Sequence, residues 1–501
     1  MEKVAEPLNR KITEDNSFEP IGHADHENKE QDEDITQEEN TLTLQRQEYT
    51  PSVLSSDEEN IGGHHGPDTD KKIGSFTAIL TLMNTIIGGG IIALPNVMRN
   101  FGIVLGLLIY FFVYVLTIFS CMLLLRAKNN SKKTDYGSIG IHCFKMRGKI
   151  LIEIIIILNN FGISISYFII FGTILHKLFN TAFGEDNFFY SKEFLILLIS
   201  IVILPFAFAK NIQKLRIVPY ITISAIGIYV FVTFYNFFHK VAKGELNTTY
   251  NIVPGSDFDF KNALGCFPTV FLAFTFQFNF FPVYKSLEDV TDKKMMKIST
   301  IAITLVFFLY CFIGLAGYLT YGASIKSNFL ESFNVDDLGP GFFYLVLASF
   351  CLSTSFTVPL FYFGCRNLVL TVIRDVRKII YKRKKQQRKI DFSQIINKDQ
   401  LLEEKQVPGY KKPITQANYY LFSFCLYALI VILAIFISDI GPVFSLIGAI
   451  CANGISFVLP AAFYIMLRRK KRKVYHLAVG LFVFGLISGV VCLVGEIMKN
   501  F

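Results

Sequence analysis

Of 501 residues, 52% are hydrophobic and only 18% charged, a balance that excludes a soluble globular or disordered chain and describes a polytopic membrane protein. The formal net charge of +9 is unevenly placed: residues 1–70 carry 19 Asp and Glu against 5 Lys and Arg, a net of about −14 against about +23 on the remainder. Nine cysteines lie almost wholly in apolar segments, with Cys143 on a basic loop, so no extracellular disulfide framework is visible and buried thiols acting as small apolar side chains account for them.

The acidic segment, with "HADHENKEQDEDITQEEN" at its centre, lacks the apolar periodicity needed to pack and is predicted to be a disordered cytoplasmic tail over 1–72. Ser55 and Ser56, followed by Asp57, Glu58 and Glu59, suit an acid-directed kinase; a solvated spacer is the plainer alternative. No cleavable signal is expected, because the first apolar run is too long for a signal h-region. Tryptophan is absent, so tyrosines such as Tyr110, Tyr190, Tyr220 and Tyr250 supply any interfacial belt.

Apolar stretches of about 20 residues predict eleven spans: 74–98, 102–125, 150–176, 194–210, 215–239, 263–284, 298–321, 340–366, 416–437, 440–467 and 475–498. Basic residues crowd alternate connections: Arg126, Lys128, Lys132, Lys133, Lys145, Arg147 and Lys149 after span 2, "RDVRKIIYKRKKQQRK" after span 8 and "RRKKRK" after span 10. The intervening connections are neutral or acidic. By the positive-inside rule the N-terminus is cytoplasmic and the C-terminus extracytoplasmic. Two sequons test this, since Asn247 falls on an outer loop and Asn129 on an inner one; only Asn247 is expected to be glycosylated.

Span 1 contains "NTIIGGGIIALP", residues 84–95. Glycine costs a helix interior about 1 kcal/mol against alanine and proline about 3, so three glycines and a proline are poor choices for an uninterrupted span. A break at membrane depth survives only where it lines a protein-enclosed or watery cavity. There the amide end of a half-helix receives a carboxylate, and stranded carbonyls ligate a small cation. Close helix packing through small residues is the competing explanation.

With "PFAFAKNIQKL" after span 4, "FAFTFQFNFFPVY" in span 6, "TSFTVPLFYFGCRN" in span 8 and "GPVFSLIGAICANGISFVLPAAFY" in span 10, the opening motif resembles the amino acid/auxin permease family, which includes sodium-coupled, proton-coupled and vacuolar amino acid transporters. The resemblance covers residues 74–498. It implies an all-α integral membrane protein of 11 transmembrane helices, with the 5+5 inverted repeat first described for a bacterial leucine transporter and one extra helix. The corresponding organisation is a tail over 1–72, a first repeat over 73–239, an extracytoplasmic loop over 240–262, a second repeat over 263–467 with a basic cytoplasmic loop at 374–412, and an eleventh helix with the C-terminus over 474–501.

The resemblance further implies secondary active transport of an amino acid by alternating access. Backbone around Ile87, Gly88, Gly89 and Gly90 would hold the substrate carboxylate, with Phe274, Gln277 and Asn279 facing its amine or side chain. Asn84 and Thr357 look like the pair that attends the ion in sodium-coupled members, and Ser353 and Thr354 could add a hydroxyl. Hydroxyls bonded one turn back along their own helix are the structural alternative. Span 6 has no glycine break in its middle, and no histidine stands where relatives often carry one, which weakens a proton-coupled reading. Glu153 is the remaining acid near the membrane, at the lipid interface or paired with Lys149.

No cofactor is expected; Na+ and H+ stay open as the coupling ion. The partners are the amino acid, the bilayer and any cytoplasmic protein that engages the tail, with no nucleic acid. No His, Cys, Asp and Glu constellation points to an enzyme. An amino acid sensor signalling through the tail is the alternative function. Plasma membrane and vacuolar or lysosomal membranes both remain open.

Overall fold

The computed structural model describes residues 72–184, 188–208, 218–246, 250–254, 258–395, 416–468 and 473–500. The acidic segment through residue 71, Asn247 and the 396–415 connection lie outside the described residues. Among the described residues nine helices are long and apolar enough to cross a membrane, ten when one bent pair counts as a single span. The chain is therefore an all-helical, multi-pass membrane protein.

That bent pair is span 1. Helix α1 (Ser75–Ile87) ends at Gly88, whose φ of 27° and ψ of −148° suit a residue without Cβ. A short 3-10 turn over Gly89–Ala93 follows, then α2 (Leu94–Phe101), and the two limbs meet at 42°. Pro95 falls in the first turn of α2, where its missing N–H leaves no helical bond unmade.

Next come α3 (Ile103–Ser131), α4 (Tyr136–Phe183), α5 (Lys192–Ala207) and α6 (Val218–Lys243). Lys145, at φ 61°, kinks α4, so the long apolar limb begins after it, near the predicted start at 150. The expected span 194–210 falls on α5, whose 16 residues rise about 24 Å; this helix is not among the nine, and residues 209–210 lie outside the described residues.

Span 6 is also interrupted, although no glycine marks the place. Helix α7 (Phe260–Ala273) stops, Phe274 to Phe276 leave the helical path, and α8 (Gln277–Ser286) resumes. Side chains supply the bonds that the break removes. The Tyr310 hydroxyl donates to the Ala273 carbonyl at 3.0 Å, and Gln277 Oε1 accepts from the Phe276 N–H at 2.9 Å.

Helices α9 (Asp292–Tyr321), α10 (Val335–Ile395) and α11 (Gln416–Phe436) follow. Residues 374–395, expected within a loop, continue α10 as helix; the run has no glycine or proline, and lysine, arginine and glutamine are good helix formers. The span at 440–467 comprises α12 (Ile440–Ile447), two π-helical turns at Gly448–Ala452 and Gly454–Val458, and α13 (Leu459–Leu467). Helix α14 (Lys473–Asn500) ends the described chain.

Spans 1 and 6 run in opposite directions. The Ile73 N–H donates to the Ser286 carbonyl at 2.8 Å and Glu288 N–H to the Ile73 carbonyl at 3.1 Å, so the entry to span 1 lies beside the exit of span 6. On the same basic face Lys128 donates to Tyr284 Oη at 2.7 Å and pairs with Asp292 at 2.5 Å, tying α3, α8 and α9 together.

Candidate functional site

The two interruptions meet. A Cβ built on Gly90 would stand 2.8 Å from Ala273 Cα, so the spans approach this closely only with glycine there. The Tyr310 hydroxyl lies between them, 2.8 Å from the Ile86 carbonyl and 3.0 Å from that of Ala273. One buried phenol thus shares its single O–H between a stranded carbonyl on each side, in an interior that offers no water to pair them.

Beside this junction is a small cavity of about 30 Å³, lined among others by Thr85, Gly88, Gly89, Gly90, Tyr167 and Thr275. Ile170 and Phe444 also line it. On its basic side opens a vestibule of about 480 Å³, whose wall includes Asn84, Glu153, Asn160, Phe278, Asn279 and Thr357. Thr85, Tyr167, Phe278 and Phe361 line both spaces and form the wall between them. The Tyr167 and Phe361 rings are 5.8 Å apart and those of Phe278 and Phe361 6.5 Å, centroid to centroid.

The expected site residues divide between the cavities and the packed interior. Gly88, Gly89 and Gly90 line the small cavity; Asn84, Asn279 and Thr357 line the vestibule. Asn84 Oδ1 is buried without a protein partner, and Asn279 Nδ2 donates to Thr85 Oγ1 at 3.2 Å. Ile87 and Phe274 are buried and line neither space; Phe274 packs edge-on against Tyr310. Gln277 is fully buried away from both, with Oε1 accepting from Ser456 Oγ at 2.8 Å.

Among the hydroxyls expected near the ion, Thr357 donates to the Ser353 carbonyl at 2.8 Å and Thr354 to that of Phe350 at 2.7 Å. Donating in this way leaves the Thr357 oxygen free to accept, and Thr357 lines the vestibule. Ser353 and Thr354 are buried and line neither space. Among the described residues no group of three His, Cys, Asp or Glu side chains is placed to hold a metal ion.

Thr85, Asn160, Tyr167, Thr275, Phe278 and Phe361 escaped the sequence reading. A signal existed for two of them: Glu153, Asn160 and Tyr167 recur at intervals of seven, which places them on one helix face. Thr275 carried no such pattern. Its hydroxyl is fixed at 2.9 Å from Ser456 Oγ, and Ser120 donates in turn to the Ser456 carbonyl, so three spans converge on it.

Residues 71–498 match the family described as transmembrane amino acid transporter protein. Amino acid transporter AVT6E of Arabidopsis thaliana is 28% identical over 323 residues, 62% of this chain and 65% of the relative. Vacuolar amino acid transporter 5 of Saccharomyces cerevisiae is 25% identical over 410 residues, covering 77% of this chain and 87% of its own. Sodium-coupled neutral amino acid transporter 4 of Homo sapiens is 24% identical over 500 residues, covering 86% and 84%.

Proposed function

The chain belongs to the transmembrane amino acid transporter family, and from that premise we propose that it is a secondary active carrier, moving an amino acid by alternating access with a coupled cation. The observation that carries this reading is the break at Gly88, where bared backbone borders a small cavity whose wall is shared with a vestibule. A vestibule on the basic side that shares a wall with the broken span is what an alternating-access carrier presents in one of its two states.

In this reading the amides of Gly89 and Gly90 and the Tyr167 hydroxyl receive the substrate carboxylate, while Thr85, Thr275 and Phe278 shape the rest of the pocket. Carbonyls of span 1, Asn84 Oδ1 and Thr357 Oγ1 attend the cation. The opposite courses of spans 1 and 6, with meeting breaks, support the eleven-span, 5+5 inverted-repeat arrangement, and the basic loops support a cytoplasmic N-terminus. Ile87, Phe274 and Gln277 then act as packing that holds the breaks in place. The sensor alternative depends on the acidic tail, which lies outside the described residues.

One cation moving through 100 mV supplies about 2.3 kcal/mol, enough for roughly 50-fold accumulation. Uptake of radiolabelled amino acids by proteoliposomes, with a sodium gradient, a pH gradient or neither, tests the reading. Accumulation under one gradient supports it. Absence of both uptake and exchange under every gradient overturns it.

A further inference from the structure

Glu153, Asn160 and Tyr167 stand two turns apart along one face of α4, and all three line the vestibule. Glu153 is the member nearest the basic face and is only 6% exposed. Its Oε1 lies 3.4 Å from Lys149 Nζ, whereas Oε2 is buried without a protein partner. Lys149 makes its shorter contact, 2.7 Å, with Asp375 Oδ2 on α10. Asp135 approaches from the turn before α4. A Cβ on Gly137 would stand 3.3 Å from Lys149 Cε, 3.4 Å from Glu153 Oε1 and 3.5 Å from Asp135 Oδ1. The charged groups facing Glu153 are thus Lys149 on its own helix, Asp375 on α10 and Asp135 at the turn.

These charges do not balance, because three carboxylates stand about one ammonium, which pairs with Glu153 and Asp375. With the vestibule open, water compensates the surplus. Alternating access requires that vestibule to shut, and shutting it removes the nearby water that compensates the surplus, leaving the already buried and unpartnered Glu153 Oε2 ionised in a dry surround, which is a heavily disfavoured state. A proton on Oε2 removes the charge and leaves Oε1 to accept from Lys149. A metal cation fits poorly: the ammonium repels it, and Asn160 Oδ1, the next unpartnered oxygen on this face, is two turns away.

We propose that Glu153 is a proton-binding site in the vestibule wall, and that the vestibule closes only when the proton is bound. The carboxylate takes the proton from vestibule water and returns it to water when the space reopens. The inference rests on the alternating-access reading above, but it identifies a group that the substrate and ion sites do not use.

The test uses the full-length protein in proteoliposomes, exchanging a mixture of radiolabelled neutral amino acids with pH equal on both sides. Once Glu153 ionises, wild-type exchange falls about tenfold per pH unit. Glu153→Gln, permanently neutral, gives a flat profile that exceeds wild type at the alkaline end. Lys149→Met moves the wild-type fall to higher pH, since loss of the ammonium favours the protonated carboxyl. A wild-type slope in Glu153→Gln, or a fall at lower pH in Lys149→Met, overturns the proposal. Infrared difference spectra of the purified protein between acid and alkaline pH give a second readout. A protonated-carboxyl band stronger in wild type than in Glu153→Gln, above the contribution of the other carboxyls, supports the site, and equal bands in the two proteins overturn it even if amino acids are carried. The band without exchange of any amino acid would remove the transport reading and leave the proton site standing.

Discussion

Gly90 and Ala273 touch backbone to backbone: the hydrogen of Gly90 occupies a place where a methyl group would stand 2.8 Å from Ala273 Cα and 3.0 Å from its Cβ. Neither atom belongs to a flexible side-chain end, so neither can swing aside. Gly90→Ala is expected to part the two interrupted spans, at an overpacking cost of about 1–3 kcal/mol. Initial uptake falls more than about tenfold while the purified variant still elutes as a single species. Wild-type uptake by this variant would show that the contact is dispensable.

Tyr310→Phe removes one hydroxyl that serves carbonyls on both breaks, those of Ile86 and Ala273. Each carbonyl left unpaired in a dry interior costs about 1–3 kcal/mol. The expected outcome is a lower midpoint of thermal unfolding, read with a thiol-reactive dye because the chain has no tryptophan. An unchanged midpoint would mean that the carbonyls find other partners.

Tyr167→Phe tests the substrate rather than the scaffold. A Cβ on Gly88 would stand 3.2 Å from this hydroxyl, which shows how near it is to the bared backbone. Loss of one hydrogen bond to a charged carboxylate is worth about 1.5–3 kcal/mol. KM for amino acid uptake should rise at least about tenfold, with the maximal rate less affected. Equal KM values would remove Tyr167 from the pocket.

Glu331 gives a pH dependence away from the membrane spans. Burial pushes its carboxyl above the usual carboxylate range, only partly opposed by Lys326 and Lys192. The folded form therefore holds the proton more tightly than the unfolded chain. Stability from this group is full below the unfolded value of about 4.3 and is lost as pH rises through the folded one. Glu331→Gln should accordingly raise the unfolding midpoint at neutral pH and give no gain near pH 4. A variant less stable than wild type at neutral pH would refute the sign.

The sequons report topology. Asn129 lies within α3, and its Nδ2 donates to Asp292 Oδ2 at 2.6 Å, an engaged helical position that suits no glycan. Treatment with a glycosidase should shift the mobility of wild type and Asn129→Gln alike, and of Asn247→Gln not at all. A shift that survives in Asn247→Gln would reverse the proposed orientation.

Much of the membrane architecture was legible because it depends on runs of apolar residues, which any bilayer reads in the same way. The side-chain assignments were less legible. Gln277 and Asn279 are two residues apart and equally polar, yet one is sealed against Ser456 and the other faces the vestibule. A helix places such neighbours about 200° apart, and nothing in one helix says which side the partner helices occupy.

The break in span 1 was determined by the sequence alone, because a glycine run followed by a proline disfavours continuous helix through local backbone energetics. The break in span 6 was decided by tertiary structure. Val270 to Gln277 contain no residue that forbids a helix, and their interruption persists because Tyr310, distant in sequence, donates to the bared Ala273 carbonyl, while Ser456 holds the Gln277 side-chain oxygen that accepts from the Phe276 N–H. Local steric preference can be read residue by residue; a bond offered from another helix exists only after that helix has packed.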